Sequence, residues 1–330
     1  MRLERSVTSI SWIPSEAITG PMRIPMDLGI GHYDLPPPDQ VQAADLEVLE
    51  EEDRFRFANH LAAWLDVEEG RIVDAGYSGG GLIGSTTARI GVSVTLPGVE
   101  FPVLQKTPEV EGNTARFVQT AGGRTGAPLP RRIDRPPWLR VTAPTAWTTL
   151  SLTIRADGWS TFELIGASPF PRHWVYGPDG RLAAKSGVID FADWTRHQDH
   201  VRSPWHEFER PILTAGVESQ IERELSAEAM SGKPKLTAIE EGEVLAEQGK
   251  PGSSIFLVLD GMLRVEVDGE AIAELGPGAI VGERAILEGG LATATVTAET
   301  KVRVAEIDPA LFDRTHLEGI AATHRREASG

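Results

Sequence analysis

Residues 281–298 read VGERAILEGGLATATVTA, in which a glycine and an acid precede one helical turn of small and apolar residues. Two adjacent glycines, Gly289 and Gly290, follow that turn and lead into a run of small residues typical of a strand. Unpaired backbone N–H groups and the positive end of the helix dipole favour an anion at such a helix start. The stretch therefore predicts a strand–helix–strand cassette that holds a phosphate.

The sequence around this cassette alternates short apolar runs with glycine-containing turns from Lys235 onward. The turns read EEGE, GKPGSS, LDGM, VDGE and LGPGA. Short and evenly spaced strands of this kind are typical of a jelly roll or a related β-roll. Asp308-Pro309 then predicts the start of a final helix, because proline suits the first helical position after a capping residue.

The order and spacing of four segments give this region a resemblance to a known family. GxxGSSIFLVLDGMLRV, ELGPGAIVGERAILEGG, TVTA and VRVAEI make residues 235–320 similar to a cyclic nucleotide-binding domain of the catabolite-activator and protein-kinase regulatory-subunit type. The resemblance implies a β-roll flanked by helices, with a cyclic nucleotide such as cAMP or cGMP as effector and no other cofactor. It also implies that Gly282, Glu283 and Ala285 hold the cyclic phosphate and the ribose 2′-hydroxyl.

The chain departs from the family pattern at Ala292, where family members carry an arginine that binds the cyclic phosphate. A charge-assisted hydrogen bond contributes about 1.5–3 kcal/mol, so its loss costs roughly ten- to a hundredfold in affinity. Arg284 is an added charge in the cassette and a candidate substitute for the missing arginine. However, it lies one residue after Glu283, and one step along a helix turns a side chain by about 100°. The candidate binding residues are Gly282, Glu283, Arg284, Ala285, Ala292, Thr293 and Ala294. Two hypotheses stay open: a working cyclic-nucleotide site, or a degenerate roll in a scaffold protein that binds no nucleotide.

The N-terminal half, residues 1–210, reads as an antiparallel β domain of unknown role, and we recognise no family in it. Apolar residues alternate between Phe55 and Val67, and Glu68-Glu69-Gly70 then leads into RIVDAGY, as in a hairpin. Asp157-Gly158 between two β-rich runs is a second hairpin signal. We predict a mainly β chain with flanking helices, in which an N-terminal barrel or sandwich precedes a β-roll domain over residues 232–330.

An amphipathic helix is predicted between the two domains, over residues 211–231. Apolar side chains recur there every four residues, at Leu213, Val217, Ile221, Leu225 and Ala229. Ser231-Gly232-Lys233-Pro234 ends the pattern. This helix and the final one are the predicted surface for a homodimer or a protein partner, and the route by which ligand binding signals to the N-terminal domain.

The overall charge argues against nucleic acid as a partner. The chain has 32 Lys and Arg against 48 Asp and Glu, a formal net charge of −16, which opposes binding to a phosphate backbone. Only about one helix follows Asp308, too little for the helix-turn-helix of the catabolite-activator group. The sequence has no run of about 18 apolar residues, so we predict no membrane span. Because cysteine is absent and the N-terminus has no secretion signal, we expect the chain in the cytoplasm.

Three further patterns have both a functional and a structural interpretation. The glycine-rich segment 77–85 lacks the Lys-Ser/Thr ending of a phosphate loop and is interpreted as a connection between strands. PLPRRIDRPPWLR at 128–140, the only basic cluster, has the charge to bind an acidic partner or a lipid headgroup, and is interpreted as an extended surface loop.

A group of histidines and acids has the residue types of a metal site, although surface polar clusters are commoner. Its members are Asp190, Asp193, His197, Asp199, His200 and His206. No nucleophile or base motif accompanies them. We therefore predict no metal and no catalytic residue, and a binding protein rather than an enzyme.

Overall fold

The structure is a computed structural model that describes residues 1–28, 33–90, 92–96, 98–126, 129–132, 138–191, 194, 204–206, 213–232 and 234–327. The chain divides into two compact units. The first comprises Met1–Lys185 and Asp190–Ile212, and the second comprises Ser186–Ile189 and Leu213–Gly330. Among the described residues, no helix has the length and apolar character needed to cross a membrane.

In the described part of the chain, the first unit contains antiparallel strands and the short helices α1 (Arg23–Asp27) and α2 (Asp45–Glu51). The strands between Arg2 and Ser186 are β1 (Arg2–Trp12), β2 (Phe57–Glu68), β3 (Arg71–Tyr77), β4 (Gly80–Ile83), β5 (Thr86–Ile90), β6 (Val92–Leu96), β7 (Val99–Glu100), β8 (Leu104–Gln105), β9 (Glu109–Glu111), β10 (Thr114–Arg124), β11 (Leu129–Arg132), β12 (Leu139–Thr142), β13 (Thr145–Arg155), β14 (Ser160–Ala167), β15 (Arg172–Tyr176) and β16 (Leu182–Ser186). Both predicted hairpins are confirmed, since β2 pairs with β3 and β13 pairs with β14.

Two of these sheets pack face to face. One has the order β16-β15-β1-β2-β3 with β4 also on β2, and the other has the order β14-β13-β10-β7 with β8 and β9 also on β10. Val7 and Leu61 of the first sheet and Phe117 and Leu150 of the second belong to one buried core. These two sheets therefore form a sandwich, and neither of them closes into a barrel.

A buried ion pair supports one end of this sandwich. Arg56 Nη2 lies 2.8 Å from Asp34 Oδ1, and both side chains are almost completely buried. The other oxygen of Asp34 accepts hydrogen bonds from the backbone N–H of Ile13 at 2.7 Å and from Arg56 Nε at 3.1 Å. Asp34 thus pairs with a buried cation and accepts from a strand-end N–H, so loss of its carboxylate would break a buried ion pair.

The second unit is a β-roll with helices against it, as predicted. Its strands are β17 (Thr214–Ala215), β18 (Lys235–Ile239), β19 (Val244–Ala246), β20 (Ile255–Asp260), β21 (Leu263–Val267), β22 (Glu270–Leu275), β23 (Ile280–Val281), β24 (Thr295–Ala298) and β25 (Val302–Ile307), and its helices are α3 (Gln220–Ser231), α4 (Glu283–Leu287) and α5 (Arg314–Glu327). Two antiparallel sheets, β18-β25-β20-β23 and β19-β24-β21-β22, share a buried apolar core. The prediction of a mainly β chain with flanking helices is confirmed.

Helix α3 is shorter than the apolar spacing predicts, because it begins at Gln220 and not near residue 211. Ser219 accepts a hydrogen bond from the backbone N–H of Glu222, while the Glu222 carboxylate accepts one from the backbone N–H of Ser219 at 2.8 Å. This capping box marks the first turn of the helix, and Thr214–Ala215 before it is a short strand. The C-terminal end agrees with the sequence, since α3 ends at Ser231.

The last helix also begins later than predicted. Asp308 accepts a hydrogen bond from the backbone N–H of Ala310 at 2.9 Å, which caps a single 3-10 turn, Pro309–Leu311. Helix α5 starts after that turn, at Arg314. Its apolar face, with Leu317 and Ile320, packs in one core with apolar residues of α3 and of the sheet β18-β25-β20-β23. Helices α3 and α5 are therefore both held against the roll.

Candidate functional site

A cavity of about 470 Å³ opens in the second unit between the cassette and the strands of the roll. Apolar side chains supply much of its wall, among them Leu245, Val265, Ile272, Leu275 and Val296. All the candidate binding residues line it, namely Gly282, Glu283, Arg284, Ala285, Ala292, Thr293 and Ala294. The structure thus brings the residues selected from the sequence to a single place.

Gly282 shapes the cassette by its backbone. It precedes α4 with φ of 102°, a left-handed conformation that favours glycine. A Cβ atom at this position would lie 2.5 Å from the carbonyl oxygen of Ser254. Both the conformation and the close approach require glycine, and they set the start of α4 against the turn that ends at Ser254.

Ala292 lines the cavity among small residues, with Gly252 and Ala285 close to it. Its backbone N–H donates to the carbonyl of Lys250 at 2.8 Å, and its carbonyl accepts from the N–H of Gly249 at 2.8 Å. Gly252 is so close that an added Cβ atom would lie 3.2 Å from the Ala285 Cβ and 3.8 Å from the Ala292 Cβ. Position 292 therefore presents only a methyl group to the cavity, and its backbone N–H and carbonyl are both hydrogen-bonded.

Glu283 and Glu247 are the carboxylates among the described residues that line the cavity, and Glu283 is part of a buried cluster. Its side chain is 4% exposed, and its Oε1 atom lies 3.0 Å from Nδ1 of His324 on α5. The other ring nitrogen, Nε2, lies 3.3 Å from Oε1 of Glu222 on α3. Glu222 also accepts a hydrogen bond from the backbone N–H of Ile280 at 2.8 Å. One imidazole therefore lies between two buried carboxylates and links three helices.

The cluster changes the ionisation of His324 and Glu222. Burial alone would lower the pKa of His324, but its hydrogen bonds to Glu222 and Glu283 outweigh burial and raise the pKa to about 10. Burial would raise the pKa of Glu222, whereas hydrogen bonds from His324 and from the backbone N–H groups of Ile280 and Ser219 prevail and lower it. At neutral pH the ring is therefore an imidazolium that donates on both sides.

Arg284, the added charge in the cassette, is engaged with the last helix. Its Nη2 atom donates to the carbonyl oxygen of Ala321 on α5 at 3.3 Å. Arg284 and His324 are the basic residues among the described ones that line the cavity, and both have partners in the protein. Neither occupies the position that Ala292 leaves without a cation.

Two members of this site were missed by sequence reasoning. Glu222 has a local signal, because Ser219 and Glu222 have the spacing of a capping box. That signal predicts a helix start but not a role beside a cavity. His324 has no local signal at all, since it lies in a helix 41 residues beyond Glu283.

The other patterns from the sequence do not contribute to this site. The described residues contain no group of His, Asp and Glu arranged to hold a metal ion. Of the proposed histidine cluster, His197, His200, Asp193 and Asp199 lie outside the described residues.

Two segments interpreted as connections contain strand structure. In the segment 77–85, β4 pairs with β2, so part of this connection belongs to the sheet. In the basic segment 128–140, the described ends form an antiparallel pair of strands, β11 and β12, where an extended loop was expected. The pairing satisfies backbone groups that a loop would leave to solvent.

The comparisons with known proteins bear on the second unit. Residues 236–317, about a quarter of the chain, match the family model described as the cyclic nucleotide-binding domain. This match confirms the resemblance seen in the sequence.

Curated relatives match about a fifth of the chain. The cGMP-dependent protein kinase egl-4 of Caenorhabditis elegans is 34% identical over 71 residues, which are 22% of this chain and 9% of that protein. The cyclic nucleotide-gated potassium channel mll3241 of Mesorhizobium japonicum is 38% identical over 71 residues, which are 22% of this chain and 19% of that protein. The chain thus matches less than a fifth of the length of either protein.

Solved structures resemble about a third of the chain. A cAMP-bound PfPKA-R structure is 24% identical and covers 33% of this chain and 39% of its own, with a TM-score of 0.28. The regulatory subunit of a cAMP-independent protein kinase A from Trypanosoma brucei is 21% identical and covers 34% of this chain and 40% of its own, with a TM-score of 0.26.

Proposed function

We propose that the second unit is a sensor domain whose cavity binds a cyclic nucleotide, cAMP or cGMP. The observation that carries this proposal is the convergence of the cassette residues on a cavity of about 470 Å³. A nucleotide combines an aromatic base, whose ring faces are apolar, with a hydroxyl-bearing sugar. Small-molecule sites pair apolar walls with a few precisely placed polar groups. Here the strands of the roll supply the apolar wall, and Glu283 supplies an acceptor for a ribose hydroxyl.

We further propose that occupancy of the cavity is signalled through the flanking helices to the N-terminal domain. Helices α3 and α5 contact the cassette through the cluster of Glu222, His324 and Glu283. A ligand that binds more tightly to one arrangement of these helices shifts the population toward that arrangement. A cytoplasmic location and a homodimer or protein partner on these helices stay predictions.

A second candidate function is a scaffold or interaction protein whose roll binds no nucleotide. Ala292 favours it, because the cyclic phosphate would meet a methyl group where the family has a cation. The engagement of Arg284 with the carbonyl of Ala321 also favours it, because this arginine already has a partner.

Isothermal titration calorimetry of the purified full chain with cAMP and with cGMP separates the two candidates. The sensor proposal predicts saturable heat with at least one of the two nucleotides. Absence of heat with both at millimolar concentration favours the interaction protein, especially if Ala292→Arg then creates binding.

A further inference from the structure

In the cluster of Glu222, His324 and Glu283, both ring nitrogens of one histidine have a buried carboxylate as partner. Packing of the helices does not by itself require such an arrangement. Each ring nitrogen of His324 faces a different carboxylate, at 3.0 Å and 3.3 Å. Both carboxylates are buried, at 4% and 2% exposure, whereas His324 is 17% exposed and lines the cavity. A charged imidazole with two buried anionic partners, at the edge of a ligand cavity, has a charge balance that the removal of any one member destroys.

We propose that Glu222 and His324 are positioning residues for Glu283, which they hold as the hydroxyl acceptor of the cavity. This inference rests on the proposed function, because it assigns a role in ligand binding. In this arrangement His324 approaches Oε1 of Glu283 from α5, and Glu222 fixes the ring from its far side. Ligand affinity then depends on α3 and α5, although neither Glu222 nor His324 needs to contact the ligand.

The role of Glu222 is divided between its two oxygens. Its Oε2 atom accepts hydrogen bonds from the backbone N–H and the hydroxyl of Ser219, both at 2.8 Å, which cap α3. Its Oε1 atom faces His324 and accepts from the backbone N–H of Ile280. The capping function alone would need only the first oxygen, so the second is available to orient the imidazole.

The charged groups that face His324 decide what its removal does. Among the described side chains these are Glu222 from α3 and Glu283 from α4, while Arg284, also from α4, contacts the backbone of α5. Without the imidazolium, Glu222 and Glu283 are buried carboxylates that have lost the cation between them. Burial disfavours the charged form of a carboxylate, so loss of the cation favours the uptake of a proton as the pH falls.

The first test is the affinity for the cyclic nucleotide of His324→Gln, measured by calorimetry between about pH 5.5 and 8.5. In the wild-type chain the affinity stays constant over this range, because the imidazolium keeps its proton. In His324→Gln the affinity falls toward pH 5.5, by up to about tenfold for each pH unit below the pKa that the buried carboxylate takes once its cation is lost. An equally flat profile in this variant overturns the positioning role.

Two further variants make the test specific to charge. His324→Lys keeps a positive charge and restores the flat profile. The double variant His324→Gln with Glu222→Gln removes the competing carboxylate and restores it as well. A merely structural role predicts weaker binding that does not depend on pH in each of these variants, and that outcome also overturns the proposal.

A measurement without ligand tests the charge cluster independently of nucleotide binding. The imidazole resonances of His324, assigned by comparison with His324→Gln, are followed by NMR as the pH is raised. We expect them to titrate well above pH 8, and titration near the ordinary value of about 6.5 overturns the charge cluster itself. If wild-type protein binds neither nucleotide, the proposed function fails and the positioning role fails with it. If it binds one and His324→Gln shows a flat profile, only the positioning role fails.

Discussion

Ala292→Arg is a substitution whose effect follows from the geometry of one cavity wall. The main chain of Ala292 is paired with Lys250 and Gly249 through hydrogen bonds of 2.8 Å that a new side chain does not disturb. Its methyl group borders a cavity of about 470 Å³ that has room for a longer side chain. An arginine here adds a cation where a cyclic phosphate would lie.

The expected gain is that of one charge-assisted hydrogen bond, about 1.5–3 kcal/mol, or roughly ten- to a hundredfold in the dissociation constant for cAMP or cGMP. Adenosine and guanosine have no phosphate, so their affinities should change by less than about threefold. Calorimetry with both kinds of ligand measures the difference. Ala292→Gln, which adds a long neutral side chain, is the matched control. An equal gain for the nucleosides, or an equal gain from Ala292→Gln, would show that the added charge does not meet a phosphate.

Three other predictions concern the stability of the chain and its nucleotide binding. Because the pKa of His324 is raised to about 10 in the folded chain, its contribution is fully present below about pH 6.5 and is lost as pH rises toward 10; denaturation at several pH values should show this loss in the wild type and not in His324→Gln. Asp34→Ala should cost about 3–5 kcal/mol of unfolding free energy in urea, because it removes one partner of a buried ion pair, whereas Glu109→Ala, in an exposed pair, should cost about 0–1 kcal/mol. Gly282→Ala should destabilise the chain by about 1–3 kcal/mol through backbone strain and abolish nucleotide binding. Gly269→Ala, which shares the left-handed conformation but meets no neighbouring atom within 4 Å, should leave binding unchanged, and loss of binding in both would contradict the role given to close approach.

Local features of the sequence predicted much of the cassette. The order of glycine, acid, helical turn and small-residue strand in residues 281–298 depends on neighbours only a few positions away, and the structure places these residues around one cavity. The two hairpins at Gly70 and Gly158 were predictable for the same reason, since each depends on a turn between adjacent strands. The end of α3 at Ser231 followed from the glycine and proline after it.

Features that depend on distant residues were not predictable in this way. Alternating apolar positions in β2 are compatible with a barrel and with a sandwich, because both bury one face of a strand. Glu222 meets His324 across 102 residues, and Glu283 meets it across 41, so no spacing pattern marks the cluster. The predicted start of α3 was too early because the apolar spacing already begins at Leu213. In the structure the capping box at Ser219 sets the start of the helix.

The proposed sensor function depends above all on whether the cavity receives the ribose of a cyclic nucleotide at Glu283. A crystal structure of the full chain grown with millimolar cAMP or cGMP would answer this. We predict a nucleotide in the cavity, with a ribose hydroxyl within about 3 Å of the Glu283 carboxylate and the base against the apolar wall. An empty cavity, or a nucleotide bound elsewhere on the chain, would contradict the proposal.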